Sequence, residues 1–299
     1  MFSYRHAFHA GSHADVLKHT VLIALLRYLT EKETALTVVD THAGAGLYRL
    51  DGDYAQTSGE AAEGIQKLTS GVAPADPLIL DYLDVIGSFN KGAQKRVYPG
   101  SPFIAQALLR GHDRLKLFEM HPTDARALAG NVAQLEAGRQ VTVARDDGFS
   151  SVRKLLPPPS RRGLVLCDPS YELKSDYGQV LDFVAEGLKR FATGTYAVWY
   201  PIIPRPEAHD LPRRLKTIAT RAGKPWLHAT LTIKRARPTI AARVDAEGGR
   251  AKRPGLTASG MFIVNPPYTL KAALQPALIE MAALLEQDKA AGYTLEAGG

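Results

Sequence analysis

Asp168-Pro169-Ser170-Tyr171 follows directly on the apolar run Gly163-Leu164-Val165-Leu166-Cys167. A carboxylate, a proline turn and an aromatic ring at the end of a buried strand suit chemistry on the exocyclic amine of a nucleobase. Such an amine is a poor nucleophile, because its lone pair is delocalised into the ring. Two acceptors help. The Asp168 carboxylate takes one amine hydrogen and the Pro169 backbone carbonyl the other, which favours a tetrahedral nitrogen. Asp168 is too weak a base to remove the proton beforehand, so it receives it as, or after, the new bond forms. Tyr171 is the expected stacking surface for a flipped base.

The tetrad is one residue away from the Asp-Pro-Pro-Tyr signature of amino-methyltransferases, with Ser170 where the second proline belongs. Asn265-Pro266-Pro267-Tyr268 is the better match by bare pattern. Chain order argues against it: Asp168 ends the fourth parallel strand counted from Asp40, whereas Asn265 ends the last strand, where two prolines simply stop it.

Upstream, Val38-Val39-Asp40 runs into a turn with Gly44 and Gly46. Glycines there let the backbone approach a ligand at a helix N-terminus. The turn lacks the third glycine of dinucleotide sites and is closer to the Asp-x-x-x-Gly-x-Gly turn of enzymes that bind S-adenosylmethionine; a plain strand-to-helix turn looks the same. Glu119 follows the strand Leu115–Phe118 and is placed to accept both ribose hydroxyls. Asp147, before Gly148, is placed to accept from the adenine amine. Singly, each is also what a solvated loop carboxylate looks like. In this order they converge with Asp168 beyond the carboxyl ends of one sheet, where ligands of open α/β sheets bind.

The elements that must position them alternate. Short apolar strands at 35–39, 115–118, 141–144, 163–167 and 195–200 are separated by helices at 123–135, around Ser150 and at 176–191, which implies a mainly parallel sheet. A helix from Ser12 to about Glu31 opens with the capping-box pattern Ser12…Asp15. Residues 47–100 interrupt the pattern with helices near 59–68 and 77–89. The tail adds strands at 227–233 and 260–264. The expected fold is α/β, Rossmann-like, with residues 1–46 and 101–299 forming one domain and 47–100 a helical insertion after the first strand.

A chain of 299 residues with formal charge +7 makes a polyanion a plausible partner. A single cysteine, Cys167, excludes an internal disulfide and fits a reducing compartment. The apolar stretch 21–29 is too short to span a membrane and carries Arg27. Together these point to a cytoplasmic protein. The N-terminal histidines, with His9 and His13 four apart and His19 nearby, raise the question of zinc. No cysteine pairs with them and Lys18 sits among them, so they read as groups around a ligand, with no metal. Seven basic residues between Lys234 and Arg253 form a loop suited to following phosphates.

The opening 20 residues, Met1-Phe2-Ser3-Tyr4-Arg5-His6 through Asp15-Val16-Leu17-Lys18-His19-Thr20, resemble the N-terminus of the RlmJ family of bacterial 23S rRNA adenine-N6 methyltransferases. Further matching segments are 40–46, Tyr98-Pro99-Gly100-Ser101-Pro102, Ser160-Arg161-Arg162-Gly163-Leu164, Trp199-Tyr200-Pro201 and Thr257-Ala258-Ser259-Gly260-Met261. The resemblance implies a methyltransferase fold and S-adenosylmethionine as donor. It places His19, His42, Ser101, Glu119, Asp147, Gly148 and Asp168 around the cofactor, with Asp168 also the catalytic residue. It sets Lys18 beside the reaction centre and Tyr4 toward the RNA. The aromatic face of Tyr4 and the cation of Lys18 make the segment Tyr4–His19 an expected cover on the substrate side. The expected substrate is 23S rRNA, protein-free or in an early assembly intermediate, acted on by a monomer. A DNA adenine methyltransferase and a catalytically silent nucleic-acid-binding protein of the same fold are the competing readings. No separate target-recognition segment is evident, which disfavours the first; Ser170 is the feature that favours the second.

Overall fold

A computed structural model of the chain describes residues 6–52, 57–90, 96–236 and 255–299. Eight strands form one sheet. In chain order they are β1 (Thr37–Asp40), β4 (Arg114–Phe118), β5 (Val141–Ala144), β6 (Gly163–Cys167), β7 (Thr195–Pro201), β8 (Trp226–Thr232), β9 (Ala258–Val264) and β10 (Gly292–Gly298). Their order across the sheet is β10-β8-β9-β7-β6-β1-β4-β5. The five strands from β5 to β7 are parallel, and β9, β8 and β10 extend them through antiparallel pairings. All five residues of β6 are buried, as its unbroken apolar run requires of a strand covered on both faces. From β1 the chain winds outward to β4 and β5 on one side and to β6 and β7 on the other. Ligands in open α/β sheets lie at such a switch point, and here Asp40, Glu119 and Asp168 all emerge at it.

Helix α1 (His13–Thr30) is buried along most of its length, and packs against the sheet through Leu17, Val21, Leu22 and Leu25. Its N-terminus corrects the expected capping box. Ser12 occupies the cap without a side-chain bond, and Asp15 accepts instead from the Gly11 amide at 2.9 Å, because its carboxylate is drawn toward Lys18 at 2.9 Å and His6 at 3.0 Å. The other end is closed by two arginines. Arg110 donates to the Thr30 and Lys32 carbonyls at 2.8 and 2.6 Å, and Arg162 donates to those of Leu29 and Thr34. Cations on the last carbonyls of a helix satisfy orphan acceptors and complement its dipole. Arg162, part of one of the matching segments, is therefore structural.

Residues 47–100 carry helices α2 (Ile65–Ser70) and α3 (Pro77–Ser88), bracketed by an antiparallel ribbon of β2 (Leu47–Arg49) and β3 (Val97–Pro99). The ribbon was not expected: three residues are too few to show an alternating pattern. Ile65, Leu68, Ile79, Tyr82, Ile86 and Tyr98 pack in the same core as Leu17 and Leu22.

The chain is completed by α4 (Ser101–Leu108), α5 (Pro122–Ala133), α6 (Gly148–Leu155), α7 (Lys174–Arg190), α8 (Pro206–Arg221) and α9 (Leu270–Leu285). The sequence pattern did not signal α8, α9 or β10. Both helices contain an internal proline, Pro212 and Pro276, which argues against a helix. Among the described residues, no helix is long and apolar enough to cross a membrane.

Candidate active site

At the carboxyl ends of β1, β4, β5 and β6 lies a cavity of about 450 Å³. Its walls include Lys18, His42, Glu119, Asp147, Asp168 and Pro169. The structure thus brings together strand ends scattered over some 130 residues of sequence.

The floor is the turn after β1. Asp40 is 2 % exposed and acts beneath the cavity rather than on its wall. It accepts the Ser101 hydroxyl at 2.6 Å and the His42 amide at 3.2 Å. Burial pushes its carboxyl up to about 6, against the opposing pull of those two donors. Gly44 sits at φ +59°, with its amide donating to Glu119 Oε2 at 2.8 Å. A side chain there would collide with the Tyr48 hydroxyl, so the turn needs glycine. Glu119 Oε1 accepts the His121 amide at 2.7 Å. One backbone donor on each oxygen fixes this half-buried carboxylate and leaves lone pairs for a ligand. Burial raises its pKa.

Asp147 caps α6, accepting from the Phe149 and Ser150 amides at 3.1 and 3.3 Å. The next residue is a contact point. A Cβ on Gly148 would come within 2.1 Å of the Thr41 carbonyl, so glycine allows the α6 N-terminus to touch the β1 turn. His42 stands edge-on to Phe149, with ring centroids 4.9 Å apart, and its Nδ1 pairs with Thr41 Oγ1 at 2.7 Å. Burial lowers its pKa to about 4, so the ring is neutral at physiological pH.

The opposite wall carries an ionic relay. Lys18 Nζ donates to Asp168 Oδ2 at 2.5 Å and to Asp15 Oδ1 at 2.9 Å. The lysine side chain is 4 % exposed, Asp15 2 % and Asp168 13 %; Lys18 and Asp168 line the cavity, and Asp15 lies behind them. Burial alone would lower the lysine pKa, and the two carboxylates more than reverse it. Burial likewise pushes Asp15 up, but His6, Lys18 and His19 hold it well below the usual carboxylate range. His6, bonded to Asp15, also lines the cavity. Asp15 is the residue that sequence reading missed. Its spacing of three from Lys18 on one helix face was a usable signal, but the capping-box pattern claimed it first.

Four of the expected site residues do not line the cavity. His19 is fully buried behind Asp15, its Nδ1 paired with the Tyr98 hydroxyl at 2.7 Å, and does not reach the cavity. Gly46 faces Phe103 and Leu128, where it makes room for the core. Asp40 acts from below, as described. Tyr171 is 2 % exposed. Its hydroxyl donates to the Trp199 carbonyl at 2.7 Å and its ring packs on Tyr177, so it offers no face to a base. Tyr4, and the stretch of the basic loop from 237 onward, lie outside the described residues. No group of three His, Cys, Asp or Glu that could hold a metal is present among the described residues. His9 pairs instead with Glu60 at 2.9 Å, and His13 with the Leu256 carbonyl at 3.0 Å.

The rival tetrad lies at the other end of the sheet. β9 is antiparallel, so Val264 pairs with Tyr196 near the start of β7. Asn265 donates to the Ala192 and Gly194 carbonyls at 3.0 and 2.7 Å, and Tyr268 is 85 % exposed. This motif is a brace.

Burial lowers the His19 pKa to about 3. The unfolded chain takes up that proton below about 6.5 and the folded one does not, so this contribution to stability is present above pH 6.5 and lost as pH falls toward 3. Across that window His19→Gln should flatten the dependence of unfolding free energy on pH by up to about 1.4 kcal/mol per unit. Denaturant melts at pH 7, 6 and 5 check this; an unchanged slope would mean that His19 is not held neutral.

A family model described as "Ribosomal RNA large subunit methyltransferase D, RlmJ" matches residues 33–296. Two relatives are each named "Ribosomal RNA large subunit methyltransferase J". That of Escherichia coli is 42% identical over 279 residues, 93% of this chain and 92% of its own length. That of Haemophilus influenzae is 41% identical over 298 residues, 99% and 98% respectively. A crystal structure of a protein from Legionella pneumophila shares the fold with a TM-score of 0.83 at 33% identity, over 97% of this chain and 99% of that one.

Proposed function

The chain belongs to the RlmJ family of ribosomal RNA large subunit methyltransferases, and on that premise we propose that it methylates the N6 amine of an adenine in 23S rRNA. The observation that carries this reading is the placing of Asp168 and Pro169 on the same cavity as Glu119, at the switch point of the sheet. Methyl transfer to an amine needs a donor site and two amine acceptors side by side, and the lining of this cavity suits both.

The donor-side residues fit S-adenosylmethionine. Glu119, steadied by two backbone amides, suits a vicinal ribose diol. Asp147 and the α6 N-terminus suit an adenine edge, and His42 offers a neutral ring beside them. The bound cofactor would supply an electrophilic methyl group. Everything else falls to the chain. Asp168 Oδ2 is held by Lys18, which leaves Oδ1 to accept one amine hydrogen while the Pro169 carbonyl accepts the other. The nitrogen lone pair is then freed from the ring, and Asp168 takes the surplus proton as the new bond forms. Lys18 holds Asp168 aimed, and Asp15 anchors Lys18 from the other side.

Glu119→Ala should weaken S-adenosylmethionine binding, by as much as about 3–6 kcal/mol if two charge-assisted hydrogen bonds are lost. Calorimetry is the check, and unchanged affinity would remove Glu119 from the site. The function itself is tested with labelled donor against protein-free 23S rRNA, assembled large subunits and duplex DNA. We expect methylation of the protein-free rRNA, by single chains acting in the cytoplasm; methylation of DNA alone, or of nothing, would overturn it.

A further inference from the structure

The turn that carries Asp168 lacks one restraint that its motif would supply. Ser170 stands where the amino-methyltransferase pattern has a second proline, and Tyr171 after it holds φ +53°, a left-handed conformation that a bulky residue adopts only when its surroundings impose it. Ser170, Glu172 and Leu173 all line the cavity, so slack here reaches the catalytic wall directly.

Two restraints act on the turn. From one side the Tyr171 hydroxyl is tied to the Trp199 carbonyl of β7 at 2.7 Å. From the other, Arg205 Nη1 donates to the Tyr171 carbonyl at 3.0 Å and to the Glu172 carbonyl at 3.3 Å. Arg205 is well anchored for this. It is the N-cap residue of α8; its amide donates to the Ile203 carbonyl at 2.7 Å, and its own carbonyl accepts from Ala208 and His209 at 3.1 and 3.3 Å. The side chain reaches back across 34 residues to the two carbonyls that a left-handed turn presents together.

We propose that Arg205 is a positioning residue for methyl transfer, holding the Asp168–Tyr171 turn by its backbone carbonyls and supplying the restraint that a proline at 170 would otherwise give. The assignment rests on the methyl-transfer reading above. Arg205 acts through the turn and touches neither donor nor base.

The test uses Arg205→Ala and Ser170→Pro, singly and combined, in the full-length protein. Single-turnover methylation of 23S rRNA should fall about tenfold in Arg205→Ala, less than the roughly hundredfold that a 1 Å misplacement can cost. The KM for RNA and the affinity for S-adenosylmethionine should stay unchanged. Ser170→Pro should then raise the rate more in the Arg205→Ala background than in the parent. Amide exchange at Tyr171 and Glu172, followed in the free protein, should quicken in Arg205→Ala and slow again in the double variant. Equal effects of Ser170→Pro in both backgrounds would overturn the proposal, as would unchanged exchange. A loss confined to the KM for RNA, with a flattened salt dependence, would make Arg205 a phosphate contact instead. If the parent protein fails to methylate rRNA, the functional reading falls, while the exchange data still decide whether Arg205 holds the turn.

Discussion

Asp168→Ala and Asp168→Asn should each reduce methyl transfer to 23S rRNA by about 10²–10⁴-fold, the range general acid–base groups contribute. S-adenosylmethionine affinity should stay within about an order of magnitude, the scale of a single lost hydrogen bond. The asparagine variant is the sharper test. It keeps the shape of the residue and one acceptor oxygen, and removes only the charge that draws Lys18 to 2.5 Å and the basicity that accepts the proton. Asn265→Ala is the control. It loses two hydrogen bonds to the 192 and 194 carbonyls, so it should lower the melting temperature and leave turnover per folded molecule intact. Near-normal turnover in Asp168→Ala, or a soluble but dead Asn265→Ala, would mean that the wrong tetrad has been assigned.

The strand-end acids could be found in the sequence because parallel sheets make position along the chain equivalent to position in space. Each short apolar run ends in a residue that must emerge at the same edge, so the cavity walls at Glu119, Asp147 and Asp168 followed from order alone. What order does not encode is the depth of each residue behind that edge. Asp40 and Asp168 end adjacent strands, yet one is sealed beneath the Ser101 hydroxyl and the other opens to the cavity. His19 lies one residue beyond Lys18, but a step of one on a helix turns the side chain by about 100°, which sends it toward Tyr98 instead. Tyr171 looked like a platform because its motif position suggested one; its left-handed backbone turns the ring into the core. Contacts such as Lys18 with Asp168, 150 residues apart, came only from the resemblance, because no local pattern specifies them. β10 is an edge strand bounded by glycines, with only Tyr293 and Leu295 alternating, too weak a signal to stand out from the tail.

The relay of Asp15, Lys18 and Asp168 sets up the second large effect. Lys18→Met removes one cation from between two carboxylates, one of them fully buried. Breaking a buried ion pair from one side typically costs about 3–5 kcal/mol, because the charge left behind is unsolvated, so this variant should be clearly less stable. Asp15→Asn combined with Lys18→Met removes the stranded charge as well, and should recover a good part of that stability. Activity should not recover with it. Without the ammonium, Asp168 loses the contact that fixes its Oδ2, so its carboxylate is no longer aimed at the amine. Single-turnover rates of the double variant should therefore stay low. Thermal melts and single-turnover rates separate the two consequences. Equal stability of Lys18→Met and the double variant, with single-turnover rates like the parent's, would show that Lys18 does not hold Asp168 in its working position and that the 2.5 Å contact is incidental to the chemistry.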